Sequence, residues 1–428
     1  MTDFELGTLF REILLPPFLS RSTPADEKSN TDRNCFSREF ELLVTCINGA
    51  KAEAIRQLIP GDLDWQALAR ITEHHRLIPQ VYSSLCDVAD LVPGEVLEKL
   101  RRLYEANVRQ SLRLSRDLIR VLDHFEDRGV AVLAYKGPTL DAMLHGIFSQ
   151  RQFVDIDLLV HPSDVQNSKT ALIELRYIVG NEFTPRQEKS YVRSGYEYVF
   201  DLPDARNILE LKWRILPHFY TIDFDVSGFF DRSVALEVGG RSMRTLCPED
   251  LLLVLCVHAA KHAWAELSLL YDISQLIQSQ PIKWDRVLEH ACQLRIRRIV
   301  AVNLILVQNL LGIVLPVTLE KQEEAVAIVR KIVPRIAESR EVDTESACYF
   351  RLMVDVRERL RDRVRFLWRL IFTPSMGEWE TVRLPAWLFP LYHVVRMYRL
   401  SGRLLKYSLE IFGAWPRLGG RARSAAVP

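Results

Sequence analysis

The sequence predicts an α+β fold, in which a small mixed β-sheet is embedded in a largely α-helical chain. Two apolar, β-branched runs, residues 130–135 and 153–160, flank a short helical stretch, which is a strand–helix–strand order. Two more strand-like runs, residues 196–201 and 208–215, would extend the sheet in an antiparallel manner, with helices on one face. Apolar residues recur at helical spacing both before and after this part of the chain.

The chain has 428 residues, which exceeds a typical single domain and favours several substructures. We expect, in chain order, a flexible N-terminal arm (1–36), a helical region (37–127), the α/β core (128–240), a second helical region (241–345) and a basic, aromatic-rich helical segment (346–428). A hydrophobic content of 48% and a charged content of 26% are ordinary for a soluble globular protein. Polar residues interrupt the apolar run 299–314, so we expect a buried helix there and not a membrane span.

Seven cysteines are dispersed along the chain without CxxC spacing. This pattern favours reduced thiols in a reducing compartment and argues against a disulfide framework or a zinc site. Asp3 and Glu5 precede any apolar run, so the N-terminus does not have the pattern of a signal peptide. We therefore expect a cytoplasmic protein.

The second strand-like run, residues 153–160, carries two aspartates at alternate positions. Because side chains alternate across a strand, Asp155 and Asp157 share one face, about 6.5–7 Å apart. The neighbouring apolar residues are expected on the other face: Val154, Ile156 and Leu158. Buried carboxylates need a partner, and hard oxygen ligands favour Mg²⁺ or Mn²⁺. The alternative is a strand at the surface edge of the sheet with solvated acids.

A short turn, Lys-Gly-Pro-Thr at residues 136–139, leads from the first strand-like run into a predicted helix over residues 139–148. Gly137 lets the backbone approach a ligand closely, and the free N–H groups of a helix N-terminus suit a phosphate. Lys136 adds a positive charge. A third carboxylate, Glu210, interrupts the apolar neighbours of a later strand-like run.

This layout, a glycine-bearing turn followed by h-D-h-D-h and h-E-h strands (h, hydrophobic), resembles the DNA polymerase β-type nucleotidyltransferase superfamily. More narrowly, four runs resemble the uncharacterised nucleotidyltransferase family often found near bacterial polysaccharide-synthesis genes: LAYKGPTL, RQFVDIDLLV, LELKWRI and PEDLLLVLCVHAAKHAW with LLYDI. The resemblance covers residues 40–399. Two features depart from the superfamily pattern: residues 136–139 replace its Gly-Ser turn, and Gly137 stands 18 residues before Asp155.

The resemblance implies a nucleotidyltransferase core that moves a nucleoside monophosphate from a nucleoside triphosphate to an unknown hydroxyl acceptor. Two cations, Mg²⁺ or Mn²⁺, would bridge Asp155 and Asp157, and Glu210 would ligate the catalytic one. Glu210 is also a candidate for the base. Six residues are expected to contact the nucleotide: Lys136, Gly137, Thr139, Arg151, Lys261 and His262. A link to polysaccharide synthesis is a further expectation.

The predicted helix after residue 247 carries His258, Lys261 and His262. Lys261 and His262 could contact phosphate or the acceptor, and the alternative is a packed or solvent-facing role. Two histidines four residues apart could bind a metal, but HxxxH without Glu after the first His is a weak zinc signal. Asp272, a lone acid among apolar residues, is expected either to orient Lys261 or His262 or to cap a helix. The pair His74–His75 near a predicted helix end is typical of solvated or capping residues.

Residues 351–428 carry 15 Lys or Arg and 6 Asp or Glu, interspersed with aromatic residues. Basic amphipathic helices with Trp and Phe bind anionic membrane surfaces, which would make the protein peripheral to the inner membrane. A helix packed on the body with a solvated arginine face would have the same composition. The arginine excess also suits nucleic acid, but the segment has no specific nucleic-acid motif. Co-sedimentation with liposomes, with and without residues 351–428, separates these alternatives.

Two other functional classes remain open at this point. The same fold could serve as a catalytically inactive scaffold or peripheral membrane protein, and metal-dependent binding of nucleoside triphosphates would argue against it. A toxin-like nucleotidyltransferase that modifies RNA or protein would share the chemistry and differ in its acceptor. Expression toxicity that depends on Asp155 would favour that third class.

Overall fold

The structure, a computed structural model, describes residues 36–373 apart from several short gaps, together with residues 382, 388 and 391–398. The gaps are residues 50, 60, 62, 147–148, 181–182, 203–206, 317–322 and 344–345. The predicted arm lies outside the described residues except for Phe36, as does most of the chain beyond residue 373.

The N-terminal region is helical, as its periodicity predicts. Its helices are α1 (Arg38–Ile47), α2 (Ala52–Leu58), α3 (Trp65–His74), α4 (Ile78–Cys86) and α5 (Gly94–Asp127), with a 3-10 turn at Ala89–Leu91. Ser37 and Asp64 cap α1 and α3 by accepting hydrogen bonds from backbone N–H groups of the first turn. The long helix α5 spans 34 residues and lies against the sheet.

The central region contains a small mixed sheet, which confirms the predicted fold class. Its elements are β1 (Val132–Ala134), α6 (Gly137–His145), β2 (Asp155–Val160), α7 (Val165–Glu174), β3 (Ile178–Val179), α8 (Pro185–Ser194), β4 (Glu197–Leu202) and β5 (Asn207–Lys212). The strand order is β1-β2-β5-β4-β3, and only β2 and β5 pair in parallel. Because β2 lies between β1 and β5, the alternative of an exposed edge strand is excluded.

Helices cover both faces of this sheet, so the prediction of helices on one face was wrong. Ile156 and Leu158 pack with Leu118 of α5 in one hydrophobic core. Leu159, on the opposite face, belongs to the larger core that the helical regions supply. Val154 was expected on the same face of the strand as Ile156, but it precedes the strand and is 52% exposed.

The C-terminal half is mainly helical. A 3-10 turn at His218–Tyr220 is followed by α9 (Val226–Arg232), β6 (Val234–Val238), β7 (Arg241–Thr245), α10 (Pro248–Lys261), α11 (Leu267–Ser279), α12 (Trp284–Leu294), α13 (Arg297–Leu311), α14 (Glu323–Ala337), α15 (Ala347–Asp355) and α16 (Leu360–Phe372). The sequence patterns did not predict the hairpin of β6 and β7, whose turn contains the expected boundary between residues 240 and 241. The proposed division into five regions stays a prediction.

The most apolar stretch of the sequence forms the buried helix α13, as predicted. Its Asn303 is fully buried and hydrogen-bonded, donating to the Cys256 carbonyl at 3.1 Å and accepting from the Trp264 indole at 2.9 Å. These bonds satisfy the polar group that interrupts the apolar run. In the part of the chain that the structure describes, no helix combines the length and the hydropathy needed to cross a membrane.

The basic helix α16 packs on the body of the protein. Phe366 is fully buried, and Arg369 donates to the His218 carbonyl at 3.1 Å. The face that points away from the body carries Leu360, Val364 and Trp368, which are 62%, 49% and 63% exposed. This packing agrees with the alternative of a helix packed on the body of the protein. Contact with an anionic membrane stays a prediction.

His75 connects three helical segments and is fully buried, which excludes the solvated alternative, and it is the C-cap residue of α3, in agreement with the capping alternative. It lies at the C-terminal end of α3. Its Nδ1 accepts from the backbone N–H of Leu267, the first residue of α11, at 3.2 Å, and its Nε2 lies 3.2 Å from the Ser339 hydroxyl. Burial lowers the pKa of His75 to about 3, so the ring is neutral near pH 7.

The neutral state of His75 predicts how stability depends on pH. The ring resists protonation in the folded chain, whereas its ordinary pKa is 6.5, so acid favours unfolding below that value. One such group contributes a slope of about 1.4 kcal/mol per pH unit. In the His75→Gln variant, the free energy of unfolding should therefore fall less steeply between pH 6.5 and 4.5. Chemical denaturation at several pH values measures both slopes, and equal slopes would contradict a buried neutral ring.

Candidate active site

The three predicted carboxylates lie on adjacent strands at one cleft. Asp155 and Asp157 are on β2, and the parallel pairing with β5 places Glu210 opposite Asp157. All three line a cleft with a volume of about 270 Å³. The other wall comes from the N-terminal helical region and from the segment joining α10 to α11, so the cleft lies between the sheet and the helices.

Most of the predicted site residues come together in this cleft. The lining includes Asp155, Asp157, Glu210, Lys136, Gly137, Arg151, Lys261 and His262. Thr139 does not join them, because it is 1% exposed and its hydroxyl points to the Met243 sulfur, at 3.8 Å. Thr139 is therefore not available as a contact for a nucleotide in the cleft.

Lys212, which the sequence analysis did not single out, lies among the carboxylates. Its Nζ is 2.6 Å from Asp157 Oδ1, 2.5 Å from Glu210 Oε2 and 3.6 Å from Glu197 Oε2. The side chain is 5% exposed. Burial alone would lower the pKa of Lys212, but the surrounding negative charges, with Asp157 foremost, raise it well above its ordinary value. The ammonium group is therefore charged at neutral pH.

Asp157 uses only one of its oxygens for these contacts. Its Oδ1 accepts from Lys212 and, at 3.2 Å, from Lys136, whereas its buried Oδ2 has no hydrogen-bond partner among the described residues. Burial would raise the pKa of Asp157, but the charges of Lys136 and Lys212 outweigh burial and hold it below its ordinary value. A buried, charged oxygen without a partner is costly and fits contact with a cation.

Asp155 differs from Asp157 in its electrostatic surroundings. Burial, together with the negative charge of Asp157, raises the pKa of Asp155 to about 6. This crowding of like charges would be relieved by a divalent cation held by the two aspartates. Across the described residues, no group of three His, Cys, Asp or Glu side chains is arranged to hold a metal ion. The two aspartates therefore fit a cation by themselves. Glu210 does not join them as a third ligand, because it is paired with Lys212.

Gly137 is required by the close approach of two backbone segments. Its φ is +54°, a conformation that side chains disfavour, and a Cβ there would lie 2.6 Å from the carbonyl oxygen of Asp155. The turn that begins α6 is thus packed directly against the start of β2. This contact sets the N-terminus of α6 and Lys136 beside the two aspartates.

Arg151 links the sheet to the helical region. Its Nε and Nη2 each lie 2.6 Å from a carboxylate oxygen of Asp272, and its Nη1 donates to the Gly137 carbonyl at 3.2 Å. Asp272 was expected to orient Lys261 or His262 or to cap a helix, and this was wrong, because it lies within α11 and pairs with Arg151. With both groups engaged, Arg151 holds the Gly137 turn in place.

The segment leading into β2 is held by the N-terminal helices. Asn107 of α5 donates to the carbonyls of Ser149 and Arg151 at 3.1 and 3.0 Å. The backbone N–H of Ile78, at the start of α4, donates to the Gln152 side chain at 2.9 Å. Helices that are distant in sequence therefore position the two aspartates.

Lys261 and His262 lie across the cleft from the aspartates. Lys261 Nζ is 3.3 Å from the Tyr196 hydroxyl, and burial lowers its pKa. Burial also lowers the pKa of His262 to about 3, so its ring is neutral. The rings of His258 and His262 lie 4.5 Å apart, and the described residues supply no third ligand that would complete a metal site. These two histidines therefore give no support to a zinc centre.

Of two residues near the carboxylates that the sequence analysis missed, Lys212 had a recognisable signal and Glu197 had none. Lys212 stands two residues after Glu210, so the alternation that pairs Asp155 with Asp157 also places Lys212 on the face of Glu210. Glu197 is the antiparallel partner of Lys212 on β4, which only the strand register reveals.

The Gly137 contact predicts a graded loss of stability. A Gly137→Ala change adds both an unfavourable φ and a collision with the Asp155 backbone, whereas Gly146→Ala, at the other end of α6, adds only the unfavourable φ of +70°. The first variant should therefore be destabilised by about 1–3 kcal/mol more than the second. Thermal and denaturant unfolding of both variants measures this difference. Equal destabilisation would show that the β2 backbone does not restrict this position.

Comparison with known proteins identifies a protein family that matches the region containing this cleft. A family model described as "uncharacterised nucleotidyltransferase" matches residues 61–312, which is more than half of the chain. The matched region contains every residue that lines the cleft. No curated protein and no solved structure matches the chain.

Proposed function

We propose that the cleft of this chain uses Mg²⁺ or Mn²⁺ to transfer a nucleoside monophosphate to a hydroxyl acceptor. The premise is that the chain belongs to the uncharacterised nucleotidyltransferase family and is thus a nucleotidyltransferase. The observation that carries this proposal is the arrangement of Asp155 and Asp157 beside the Lys136–Gly137 turn in one cleft. Carboxylates on a strand and a helix N-terminus next to them suit a metal-bound triphosphate.

The reaction breaks one bond of the triphosphate and forms another. The acceptor oxygen attacks the α-phosphorus, the bond from that phosphorus to the oxygen bridging to the β-phosphate breaks, and pyrophosphate leaves. The hydroxyl proton passes to a carboxylate, for which we propose Glu210, since its side chain is 23% exposed and lines the cleft. Little further covalent chemistry is needed, because positioning and electrostatics supply most of the catalysis of phosphoryl-type reactions.

Asp155 and the unpartnered Oδ2 of Asp157 are the groups that would hold the divalent cation. When bound, such a cation neutralises charge on the reacting phosphate and lowers the pKa of the attacking hydroxyl. The all-oxygen donor set supports Mg²⁺ or Mn²⁺ over softer metals. Lys136 and Lys212 keep Asp157 ionised, so its carboxylate is ready to bind without first losing a proton.

The phosphate groups have several partners in the cleft. Lys136 is 11% exposed at the N-terminus of α6, where the positive end of the helix dipole also favours an anion. Lys261 and the neutral ring of His262 lie on the opposite wall and would bind from that side. Arg151 acts indirectly in this proposal, because its guanidinium holds the Gly137 turn.

A catalytic role also explains why the cleft contains so many buried charged groups. Buried charged groups destabilise a fold unless they are well paired, and a cleft that collects so many of them suits a binding function better than a purely structural one. No observation favours the scaffold or the toxin-like alternative. The hydroxyl nature of the acceptor, the link to polysaccharide synthesis and the cytoplasmic location stay predictions.

Calorimetric titration of ATP, CTP, GTP and UTP in the presence of Mg²⁺ or Mn²⁺ tests this function. At least one triphosphate should bind in a cation-dependent manner. An Asp155→Asn/Asp157→Asn variant should lose at least about 100-fold in affinity, since it removes both negative charges that hold the cation. Asp201→Asn, a change of an exposed carboxylate on β4, is the matched control and should bind like the wild type.

Two outcomes would contradict the proposal. Unchanged binding by the double variant would remove the aspartates from the site. Absence of binding by the wild-type chain to all four triphosphates would favour the scaffold alternative. Circular dichroism of each variant separates loss of binding from loss of the fold.

A further inference from the structure

The surroundings of Lys212 resemble those of a metal ion. Its Nζ lies within 2.6 Å of oxygens from Asp157 and Glu210, and Glu197 contributes a third carboxylate at 3.6 Å. The side chain is almost completely buried, so these carboxylates and not water stabilise its charge. An amino group tied to the chain therefore occupies the point where carboxylates of three strands converge.

Strand register explains why the ammonium lies there. Glu210 and Lys212 are two residues apart on β5 and share a face. Asp157 pairs with Glu210 in parallel register, and Glu197 pairs with Lys212 in antiparallel register. The position of the charge is thus set by backbone pairing in the middle of the sheet, and not by a surface side chain that could easily turn away.

The two oxygens of the Asp157 carboxylate differ in their hydrogen bonding. Oδ1 is shared by Lys212 and Lys136, whereas Oδ2 is buried and has no hydrogen-bond partner in the described part of the chain. A second divalent cation between Oδ1 and Glu210 would lie against the Lys212 ammonium, and like charges at contact repel strongly where water is excluded. Space and charge therefore favour one cation, on the Oδ2 side.

We propose that Lys212 acts as a tethered cation in place of one of the two metal ions, so that the site takes one divalent cation, held by Asp155 and Asp157. This inference rests on the proposed nucleotidyl transfer. Glu210 is then a partner of Lys212 and not a metal ligand. The positive charge that a second ion would contribute is supplied by the chain itself.

Counting bound Mn²⁺ tests the inference without measuring activity. The full chain is incubated with Mn²⁺ and, in turn, the non-hydrolysable α,β-methylene analogues of ATP, CTP, GTP and UTP, and free Mn²⁺ is measured by electron paramagnetic resonance. The wild type and Lys212→Arg should bind one Mn²⁺ per chain in the presence of the analogue that binds. Lys212→Met and Lys212→Gln should bind two, because the neutral side chain leaves the second position open.

Lys189→Met, a change of an exposed lysine on α8, is the control and should still bind one ion. Two ions in the wild type would overturn the tethered cation but leave the proposed function standing. One ion in the wild type and in both neutral variants would also overturn it, because Lys212 would not be what excludes the second ion. If no Mn²⁺ and no analogue binds at all, the inference and the proposed function both fail. If neither neutral variant folds, the number of Mn²⁺ ions bound by the wild type decides: one ion supports the inference, and two ions overturn it.

Discussion

The bond between Lys212 and Asp157, buried in the middle of the sheet, is the constraint on which the rest of the site depends. Charges in such a place must be paired, and the register of β2, β5 and β4 brings the partners together without any loop. The pairing keeps Asp157 ionised and uses only one of its oxygens. It thereby leaves a charged oxygen next to the cleft, which is the group that a cation and its triphosphate would need.

The helical regions complete the site by holding the segments on either side of β2. Asn107 fixes the chain before the strand, and the pair of Arg151 with Asp272 fixes the turn at Gly137. His75 joins α3 to α11, which carries Asp272. The sheet that carries the carboxylates is therefore held by helices of the N-terminal region and by α11.

Local patterns were enough to predict four of the five strands of the sheet and its carboxylates, because alternation and β-branched composition act over a few residues. They could not predict the partners of Arg151 or Asp272, which are far apart in sequence and meet only when α11 packs against the turn. Thr139 was misjudged because position in a motif does not reveal which side of a helix faces the core. Lys212 could have been found from its spacing to Glu210, but its contact with Glu197 needed the strand register.

The most direct test of the central claim is a crystal structure of the chain with Mn²⁺ and the α,β-methylene nucleotide that binds, with anomalous data at the manganese edge. The account predicts a manganese ion, located by its anomalous peak, that is coordinated by Asp155 and Asp157. It also predicts that the triphosphate reaches towards Lys136 and that Lys212 is still paired with Glu210. A nucleotide bound elsewhere, or a peak that does not touch the two aspartates, would contradict it.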